Sequence, residues 1–372
     1  MTRINTRYDF QQSAKLHQPI VSDIWIKRNL SDFVVREHLG FVPSGSGEHV
    51  YIHIEKRGMS TGYVRELLAK FAERHQRDIG YAGLKDRQAL TSQWFSIYLP
   101  GGDNVEWHSF EQFVASQVSN SVSALRVLSV SRHNKKLRVG AHKANDFEIV
   151  LRASETASGN HHLLETLVID ALSQRLDELA QTGFPNYFGE QRFGVKGGNI
   201  AQAIDMFLGQ KRVAKKQRGF LISAARSLLF NELLSARVVD DTWCRYTDGD
   251  VLMLNGSQSI FRLDPASERE PQLRDIDARL RSGDVNVSGV LYGRDYQACD
   301  GSAGELERAI LQRYPELISG LNADGIDSGR RAFRVFPAQC SLDRQGDALS
   351  LHFRLPKGSF ATAMLRELVS YT

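Results

Sequence analysis

Residues 80–96 read GYAGLKDRQALTSQWFS, a glycine-bearing turn followed directly by a strand-like segment. The turn presents Lys85, Asp86 and Arg87 in succession, so the Asp86 carboxylate stands between two cations in the sequence. Neighbouring positive charge favours the ionised form of a carboxylate, and a carboxylate nucleophile must be anionic at neutral pH. The triplet alone is equally typical of an ordinary surface turn. Its interpretation therefore depends on the segments around it.

The segments that flank this turn predict a sheet with helices. Residues 49–55 (HVYIHIE) alternate apolar and polar side chains, the period of a half-buried strand. Residues 62–76 place apolar side chains at helical spacing, with Thr61 as a candidate N-cap. Residues 94–98 and 147–152 have the texture of further strands. We therefore expect an α/β fold of the mixed α+β type, in which a curved mixed sheet carries helices on one side.

The strand pattern returns near the end of the chain. Residues 221–236 have the apolar spacing of a helix, whereas residues 349–355 alternate apolar and polar side chains as a strand does. This last strand needs neighbours, and the best strand patterns lie in the first half of the sequence. We therefore expect one discontinuous domain, residues 1–182 plus 336–372, interrupted by an inserted α/β domain, residues 183–335.

The distribution of charge indicates a polyanionic partner. The 372 residues include 47 Lys and Arg and 43 Asp and Glu, a formal net charge of only +4. Residues 132–143 and 211–218, however, form two basic runs without a single acid. One such run is commonly a solvated face. Two runs in a mildly basic protein favour nucleic acid, because neutralising phosphates releases counterions.

Several other classes of protein are disfavoured by the sequence. No stretch approaches the roughly 18 apolar residues of a transmembrane helix, and the polar first residues lack the apolar region of a secretory signal. We therefore expect a cytoplasmic protein. Cys244, Cys299 and Cys340 are too far apart for a metal knuckle. His49 and His53 lie on a predicted strand, about 13 Å apart, too far to share one ion. We expect no metal site.

Four ordered motifs resemble a known family. The segment 80–96 is similar to the catalytic motif of TruD-type tRNA pseudouridine synthases. DFVVRE (residues 32–37) resembles the N-terminal motif of that family, and NYFGEQRFG (residues 186–194) resembles the opening of its insertion domain. LPKGSFAT (residues 355–362), followed by Arg366-Glu367-Leu368, resembles its C-terminal signature. The resemblance extends from about residue 27 to residue 370 and implies a pseudouridine synthase catalytic domain interrupted by the insertion.

The resemblance also implies roles for individual residues. It makes Asp86 the nucleophile of the reaction. The positions that match substrate-contacting or basic active-site positions of the family are Phe33, Asn145, Phe147, Phe360 and, more loosely, Lys27. The sequence departs from the pattern at Gln88, where close relatives have histidine, and at Leu84, where glutamine also occurs. These two departures concern the fit of the substrate more than the type of reaction.

Each implied role is chemically reasonable, although simpler interpretations exist. A base whose glycosidic bond is to change must leave its stack, and aromatic rings can then stack on it. The amide of Asn145 offers a donor and an acceptor to a uracil edge, and Lys27 or Arg87 can hold the aspartate ionised. The alternative for the three phenylalanines is core packing, since all of them lie in or beside amphipathic segments.

The expected reaction is the isomerisation of uridine to pseudouridine in tRNA, by resemblance at position 13 in the D arm. Such an isomerisation needs no redox step and no hydrolysis, so no cofactor is implied. One alternative is a tRNA-binding or RNA-folding module with an idle catalytic site. Another is a metal-dependent nuclease that uses Asp86. A nuclease would need further clustered carboxylates, and Asp78 is the only other acid within ten residues of Asp86.

Overall fold

The structure of the chain, a computed structural model, describes residues 7–101, 105–118, 122–154, 162–264 and 268–372. It confirms the expected mixed α/β class. The described strands are β1 (Val21–Trp25), β2 (Phe33–His38), β3 (His49–Arg57), β4 (Ile79–Tyr81), β5 (Leu90–Tyr98), β6 (Ala124–His133), β7 (Ala144–Ala153), β8 (Phe184–Pro185), β9 (Leu252–Leu254), β10 (Ile260–Phe261), β11 (Val285–Leu291), β12 (Gly329–Ala332), β13 (Arg334–Val335), β14 (Ala338–Gln345), β15 (Ala348–Pro356) and β16 (Val369–Tyr371). The described helices are α1 (Thr61–Phe71), α2 (Phe110–Gln117), α3 (Thr166–Thr182), α4 (Asn199–Phe207), α5 (Lys215–Val239), α6 (Arg269–Ser282), α7 (Gly301–Leu311), α8 (Pro315–Asp324) and α9 (Ala361–Leu365).

Contacts within the chain group these elements into two compact units. The sheet unit is formed by residues within 20–177, 337–358 and 369–372. The helical unit is formed by described residues within 1–19, 178–336 and 359–368. None of the described helices is long and apolar enough to cross a membrane.

The two units differ at the chain ends from the predicted division into 1–182 plus 336–372 and 183–335. The reason is a set of long-range hydrogen bonds within the helical unit. The Glu367 carboxylate accepts bonds from the backbone N–H groups of Leu16 and His17, at 2.9 and 3.1 Å. The Arg366 guanidinium donates to the backbone carbonyl of Ser13. These bonds join the first residues to the segment after β15, and a bond from the Ala14 N–H to the Ser235 hydroxyl, at 2.8 Å, joins them to α5.

The sheet unit is built on one large mixed sheet. Its main path follows the order β14-β15-β7-β2-β5-β3-β6, with β4 paired to β5 and β1 paired to β7 and β16. The pairs β2–β5 and β1–β16 are parallel, and the other pairs are antiparallel. Strand β15 pairs with β14 on one side and, through residues 349–356, with β7 from the first half of the sequence on the other.

Helices α1 and α2 cover one face of this sheet. The alternation in β3 directs Val50, Ile52 and Ile54 to that face, where they are fully buried. They form one apolar cluster with Phe95 and Ile97 of β5, Leu67 and Leu68 of α1 and Phe110 of α2. The burial of these side chains, at roughly 25 cal/mol per Å² of apolar surface, holds the helices against the sheet.

Helix α1 begins one residue earlier than predicted and is capped differently. The Ser60 side chain, not that of Thr61, accepts the capping bond from the backbone N–H of Tyr63. The hydroxyl of Thr61 instead bonds to the backbone of Lys85 and to the Gln93 side chain. The helix ends at Phe71 and not at the predicted residue 76, because Glu73 adopts a positive φ of 51°.

The helical unit is organised around α5. This helix contains the predicted helical segment 221–236 and contacts α4, α7 and strand β11. Strand β11 belongs to a four-stranded sheet of order β10-β9-β11-β12, and the short strands β8 and β13 pair separately. Buried apolar side chains along α5, among them Leu221, Ala225 and Leu229, form the contact surface of the helix.

Candidate active site

Asp86 lies in the loop of residues 82–89, which connects the antiparallel strands β4 and β5. The two ends of the loop are anchored, since Ala82 and Ala89 are fully buried. Gly80 lies in β4, two residues before the loop begins, and a Cβ atom there would come within 2.2 Å of the Leu137 carbonyl oxygen. The strand can therefore approach that backbone only with glycine at this position. Between the buried ends, the Asp86 side chain is 36% exposed.

Two buried side chains fix the conformation of this loop. The Thr61 hydroxyl accepts a bond from the backbone N–H of Lys85, at 2.9 Å, and donates to Oε1 of Gln93, at 2.8 Å. The amide nitrogen of Gln93 in turn donates to the Gly83 carbonyl, at 3.1 Å. Thr61 and Gln93 are both fully enclosed. Because each bond joins the loop to a rigid helix or strand, the position of the residue next to Asp86 is set from both sides.

The flanking cations of Asp86 contact other groups. The Lys85 ammonium lies 2.7 Å from the Glu37 carboxylate, and both side chains are buried. The second Glu37 oxygen accepts a bond from the backbone N–H of Trp94, at 3.0 Å. Arg87 donates through Nε to the Gly58 carbonyl, at 3.2 Å. The sequence alone suggested that the turn presents its three charges together. In the structure, the Lys85 and Arg87 side chains instead contact Glu37 and the Gly58 carbonyl.

The cation that pairs with Asp86 is Lys27. Its Nζ atom lies 3.0 Å from Oδ2 of Asp86 and 4.2 Å from the centre of the Phe33 ring. An ammonium at this distance stabilises a carboxylate through a charge-assisted hydrogen bond, and it is attracted to the face of the aromatic ring. Lys27 thus brings Asp86 and Phe33, two of the predicted site residues, into one cluster.

A second lysine, Lys56, supports the backbone of the loop. Its side chain is buried, and its ammonium donates to the carbonyl oxygens of Met59, at 2.7 Å, and of Asp86, at 3.3 Å. Burial lowers the pKa of Lys56 to about 8, and the Asp86 charge opposes that shift. Lys56 therefore holds the main chain of Asp86, whereas Lys27 holds its side chain.

Strands β2 and β7 place the other predicted residues side by side. Glu37 stands opposite Asn145 in the register of these strands, and Val35 stands opposite Phe147. The rings of Phe33 and Phe147 meet edge to face, with centroids 6.3 Å apart. Phe147 also stacks on Phe353 of β15, at 5.2 Å. Both Phe33 and Phe147 are buried, so packing is part of the role of each.

Asn145 is buried with an unsatisfied acceptor. Its Oδ1 atom is inaccessible to solvent and has no hydrogen-bond partner in the described part of the chain. A buried acceptor without a partner costs about 1–3 kcal/mol. The Asn145 oxygen is therefore suited to accept a hydrogen bond from a bound molecule.

Phe360 belongs to the helical unit and not to the sheet unit. It is the N-cap residue of α9, at the predicted junction of loop and helix, and is half-buried. Its ring meets Phe188 edge to face, at 5.7 Å, and the Arg192 guanidinium lies 5.6 Å from its centre. Met364 and Leu365, one turn further on, are fully buried as expected.

The two basic runs lie in different units. In residues 132–143, Arg132 is engaged with backbone carbonyls of Gly47 and Leu99, and Lys136 donates to that of Arg77. Lys135 and Arg138 are exposed. In residues 211–218, Arg218 pairs with Asp324 and Lys211 contacts Gln202. Only part of each run is therefore unengaged surface charge.

The sequence reasoning missed Lys56 and Gln93, although a signal was present. In β3, Lys56 occupies the next position of the face that Ile52 and Ile54 direct inward. In β5, Gln93 likewise precedes Phe95 on the inward face. A polar side chain in the apolar phase of a strand must find buried partners, and both of these residues find them at the Asp86 loop.

Comparison with known proteins identifies the family. The family model described as tRNA pseudouridine synthase D (TruD) matches residues 22–209 and 196–368. This chain belongs to the TruD family. It is 39% identical to a tRNA pseudouridine synthase D of Aeromonas hydrophila, over 96% of this chain and 94% of that protein. It is 36% identical to a tRNA pseudouridine synthase D of Colwellia psychrerythraea, over 97% of this chain and 93% of that protein.

The fold is also similar to that of a solved structure. A protein from Methanosarcina mazei, described as a tRNA pseudouridine synthase D, aligns with 99% of this chain and 98% of its own, with a TM-score of 0.61. At 19% identity, this likeness concerns the fold. Among the described residues, no group of three or more His, Cys, Asp and Glu side chains is placed to hold a metal ion.

Proposed function

We propose that this TruD-family enzyme converts uridine 13 in the D arm of tRNA to pseudouridine, with Asp86 as the nucleophile. The observation that supports this proposal best is the position of Asp86. Its carboxylate is partly exposed and bonded to Lys27 at 3.0 Å, while hydrogen bonds to Thr61, Gln93 and Lys56 hold its loop. A nucleophile that is ionised and fixed before the substrate arrives needs little reorganisation during the reaction.

The proposed reaction is an isomerisation in which all atoms are retained. Asp86 forms a covalent adduct with the nucleotide, and the bond between N1 of uracil and C1′ of ribose breaks. The detached base turns within the site, C5 forms the new bond to C1′, and the bond between Asp86 and the nucleotide breaks to restore the free carboxylate. The hydrogen of C5 leaves as a proton, and N1 gains a proton. No oxidant, reductant or cofactor enters this balance.

The resemblance to the family and the contacts around Asp86 suggest which residues hold the displaced base. The target nucleotide must leave its stack to be reached, and the family resemblance assigns contacts with it to Phe33, Phe147 and Phe360. Asn145 carries a buried oxygen without a partner in the described chain, and uracil carries an N3–H group that can donate to it. We assign Asn145 to the uracil edge on this basis and Lys27 to the orientation of Asp86.

We further propose that residues 183–335 form a domain inserted into the catalytic domain. The pairing of β15 with β7 supports the return of the chain to the first sheet. A cytoplasmic location is supported by tRNA as the substrate.

The test is the release of tritium from tRNA that carries C5-labelled uridine, because only rearrangement at C5 displaces that atom. Asp86→Asn should abolish release, whereas Asp78→Asn, at the only other acid within ten residues, should retain it. Binding of tRNA by Asp86→Asn should persist, because binding depends mainly on phosphate contacts. A wild-type protein that binds tRNA without releasing tritium would instead be a binding module with an idle site.

A further inference from the structure

A second concave surface of the sheet unit shares no lining residue with the Asp86 cluster. This groove, of about 800 Å³, lies at the end of β3 and β6 and beside the loop that joins β2 to β3. It is lined by Phe41, Val42, His49, Tyr51, His133, Asn134, Lys135, Lys136, Leu137, Arg138 and Ala141. Aromatic and cationic side chains thus predominate in the groove, and none of these lining residues is acidic.

The groove offers an aromatic surface to solvent. Phe41 is 39% exposed, although a phenylalanine of a soluble protein is usually buried. Its ring stacks on His133, with centroids 5.2 Å apart and planes inclined by 30°. Tyr51 supports both rings edge-on, at 6.3 and 5.0 Å, and is itself fully buried. The Phe41 ring is therefore held from behind while part of its surface remains available.

The loop that carries Phe41 is tied to the basic segment. The backbone N–H of Gly45 donates to the Arg132 carbonyl, at 3.0 Å, and the Arg132 side chain donates back to the Gly47 carbonyl, at 2.8 Å. Gly47 has a φ of +122°, and a Cβ there would lie 2.5 Å from the His133 carbonyl oxygen. Only glycine permits this approach. The aromatic ring and the cations are consequently preorganised as one surface.

The floor of the groove is continuous with the Asp86 loop. Tyr51 and Leu137 pack in one buried cluster with Ala82, the first residue of that loop. The backbone N–H of Gly140 also donates to the Ala82 carbonyl, at 2.7 Å. A substrate that occupies the groove would therefore contact the same layer of the protein that positions the Asp86 loop.

We infer that this groove binds a nucleotide of the tRNA other than the uridine that is modified. The base stacks on Phe41, and the adjoining phosphates contact Lys135 and Arg138, which are exposed. Stacking on an aromatic ring beside cations is the general way in which proteins hold single-stranded nucleic acid. The inference rests on the proposed tRNA substrate and adds a second point of attachment to it.

The first test separates stacking from charge by measuring tRNA dissociation constants at several salt concentrations. Phe41→Ala should weaken binding by about 5- to 150-fold, the range for one base stacked on an aromatic ring, without a change in salt dependence. Lys135→Gln combined with Arg138→Gln should lower the log–log salt slope by roughly 0.7–0.9 per lost phosphate contact. At tRNA concentrations below saturation, the rate of tritium release by Phe41→Ala should fall in proportion to its loss of affinity.

Matched variants exclude a trivial loss of structure. Val139→Ala changes an apolar side chain of the same unit that is 76% exposed and does not line the groove, and it should bind tRNA as the wild type does. Phe41→Leu keeps an apolar side chain but has no aromatic face, so it should bind as weakly as Phe41→Ala. Phe41→Trp should restore affinity. Normal binding by Phe41→Leu, in a protein that melts at the wild-type temperature, would overturn the stacking role.

The second test locates the base. Transfer RNAs with a single abasic nucleotide, placed in turn at each position outside the paired stems, are compared for binding to the wild type and to Phe41→Ala. At one position, the missing base should weaken binding to the wild type but should not weaken binding to Phe41→Ala any further. Absence of any such position would refute the inference. Binding does not require turnover, so a protein that fails to release tritium yet shows this dependence would refute the proposed reaction and retain the groove.

Discussion

Thr61→Val tests whether the position of Asp86 depends on a single buried hydroxyl. The substitution keeps the volume of the side chain and removes both hydrogen bonds of Oγ1, the one from the Lys85 N–H at 2.9 Å and the one to Gln93 at 2.8 Å. Since the site is enclosed, water cannot replace the lost partner. Two buried groups then lose a bond at about 1–3 kcal/mol each, so we expect the free energy of unfolding to fall by roughly 2–6 kcal/mol.

The same change should slow the reaction beyond its effect on stability. The Lys85 N–H is one residue from Asp86, and a reacting group misplaced by about 1 Å can lose on the order of 100-fold in rate. We expect the single-turnover rate of tritium release, at saturating tRNA, to fall by about 10- to 100-fold. Urea denaturation should be measured alongside, at a temperature where the variant is almost fully folded.

Two variants provide the controls. Ser60→Ala removes the cap of α1, a bond of 3.2 Å to the Tyr63 N–H, and should cost about 1 kcal/mol without slowing the reaction. Thr61→Ser retains the hydroxyl and should recover most of the rate. A folded Thr61→Val protein with the wild-type rate would refute the view that this hydroxyl positions the Asp86 loop.

Three further predictions concern the residues around Asp86 and on α9. Lys27→Met leaves Asp86 without its ion pair, so the single-turnover rate of tritium release should fall by at least about 10-fold while the tRNA dissociation constant stays within about twofold of the wild type. Equal losses of rate and of tRNA affinity would contradict the positioning role. Burial lowers the pKa of Lys56 from 10.5 to about 8, so between these pH values the unfolded chain binds more protons and stability rises with pH, by up to roughly 3 kcal/mol. Below pH 8 both states are protonated and the cost of burial is complete. Burial raises the pKa of Cys299 to about 11, which opposes the rise at alkaline pH, so urea titrations at pH 7 and pH 10 should show the rise as a gain of the wild type relative to Lys56→Met. Phe360→Ala should slow single turnover strongly. It should lower the free energy of unfolding by only about 1–2 kcal/mol, less than the 3–5 kcal/mol of a core phenylalanine, because its ring is half-buried. A loss of stability as large as that of a core phenylalanine would contradict the stacking role.

The sequence predicted the parts of the fold that have a strong period. The alternating segments 49–55 and 349–355 lie in β3 and β15, the strand-like segment 147–152 lies in β7, and the helical spacing of 221–236 lies in α5. The grouping of the chain ends was not predictable, since it depends on hydrogen bonds between residues about 350 positions apart. Local patterns carry no information about such partners.

The candidate site divides in the same way. Asp86 was evident from its motif, and of the two cations suggested by the sequence as its partner, Lys27 and Arg87, the structure pairs Lys27 with its carboxylate. Arg87, adjacent in sequence, contacts Gly58 instead, because neighbours in a tight turn point in different directions. The catalytic and binding roles of these residues stay predictions until the variants are measured.

Four strands of the sheet unit depart from their alternation on the same face. Each of these strands has one polar residue next to a buried apolar residue two positions away on the same face. The four polar residues, all buried, are Glu37 of β2, Lys56 of β3, Gln93 of β5 and Asn145 of β7. The register places Glu37 opposite Asn145 and Lys56 opposite Thr91, two residues before Gln93. Burying polar groups costs free energy unless they are bonded, so each departure requires a compensating contact.

Three of the four departures are compensated within the protein. Glu37 binds Lys85, Lys56 binds the Asp86 carbonyl, and Gln93 binds the Gly83 carbonyl, so each supports the loop that carries Asp86. Asn145 differs, since its Oδ1 has no partner among the described residues. A donor supplied by a bound nucleotide would recover the roughly 1–3 kcal/mol that this oxygen costs. The break in the strand pattern thus supports the proposed roles: three residues hold the loop of Asp86, the proposed nucleophile, and Asn145 offers an acceptor to the proposed uracil.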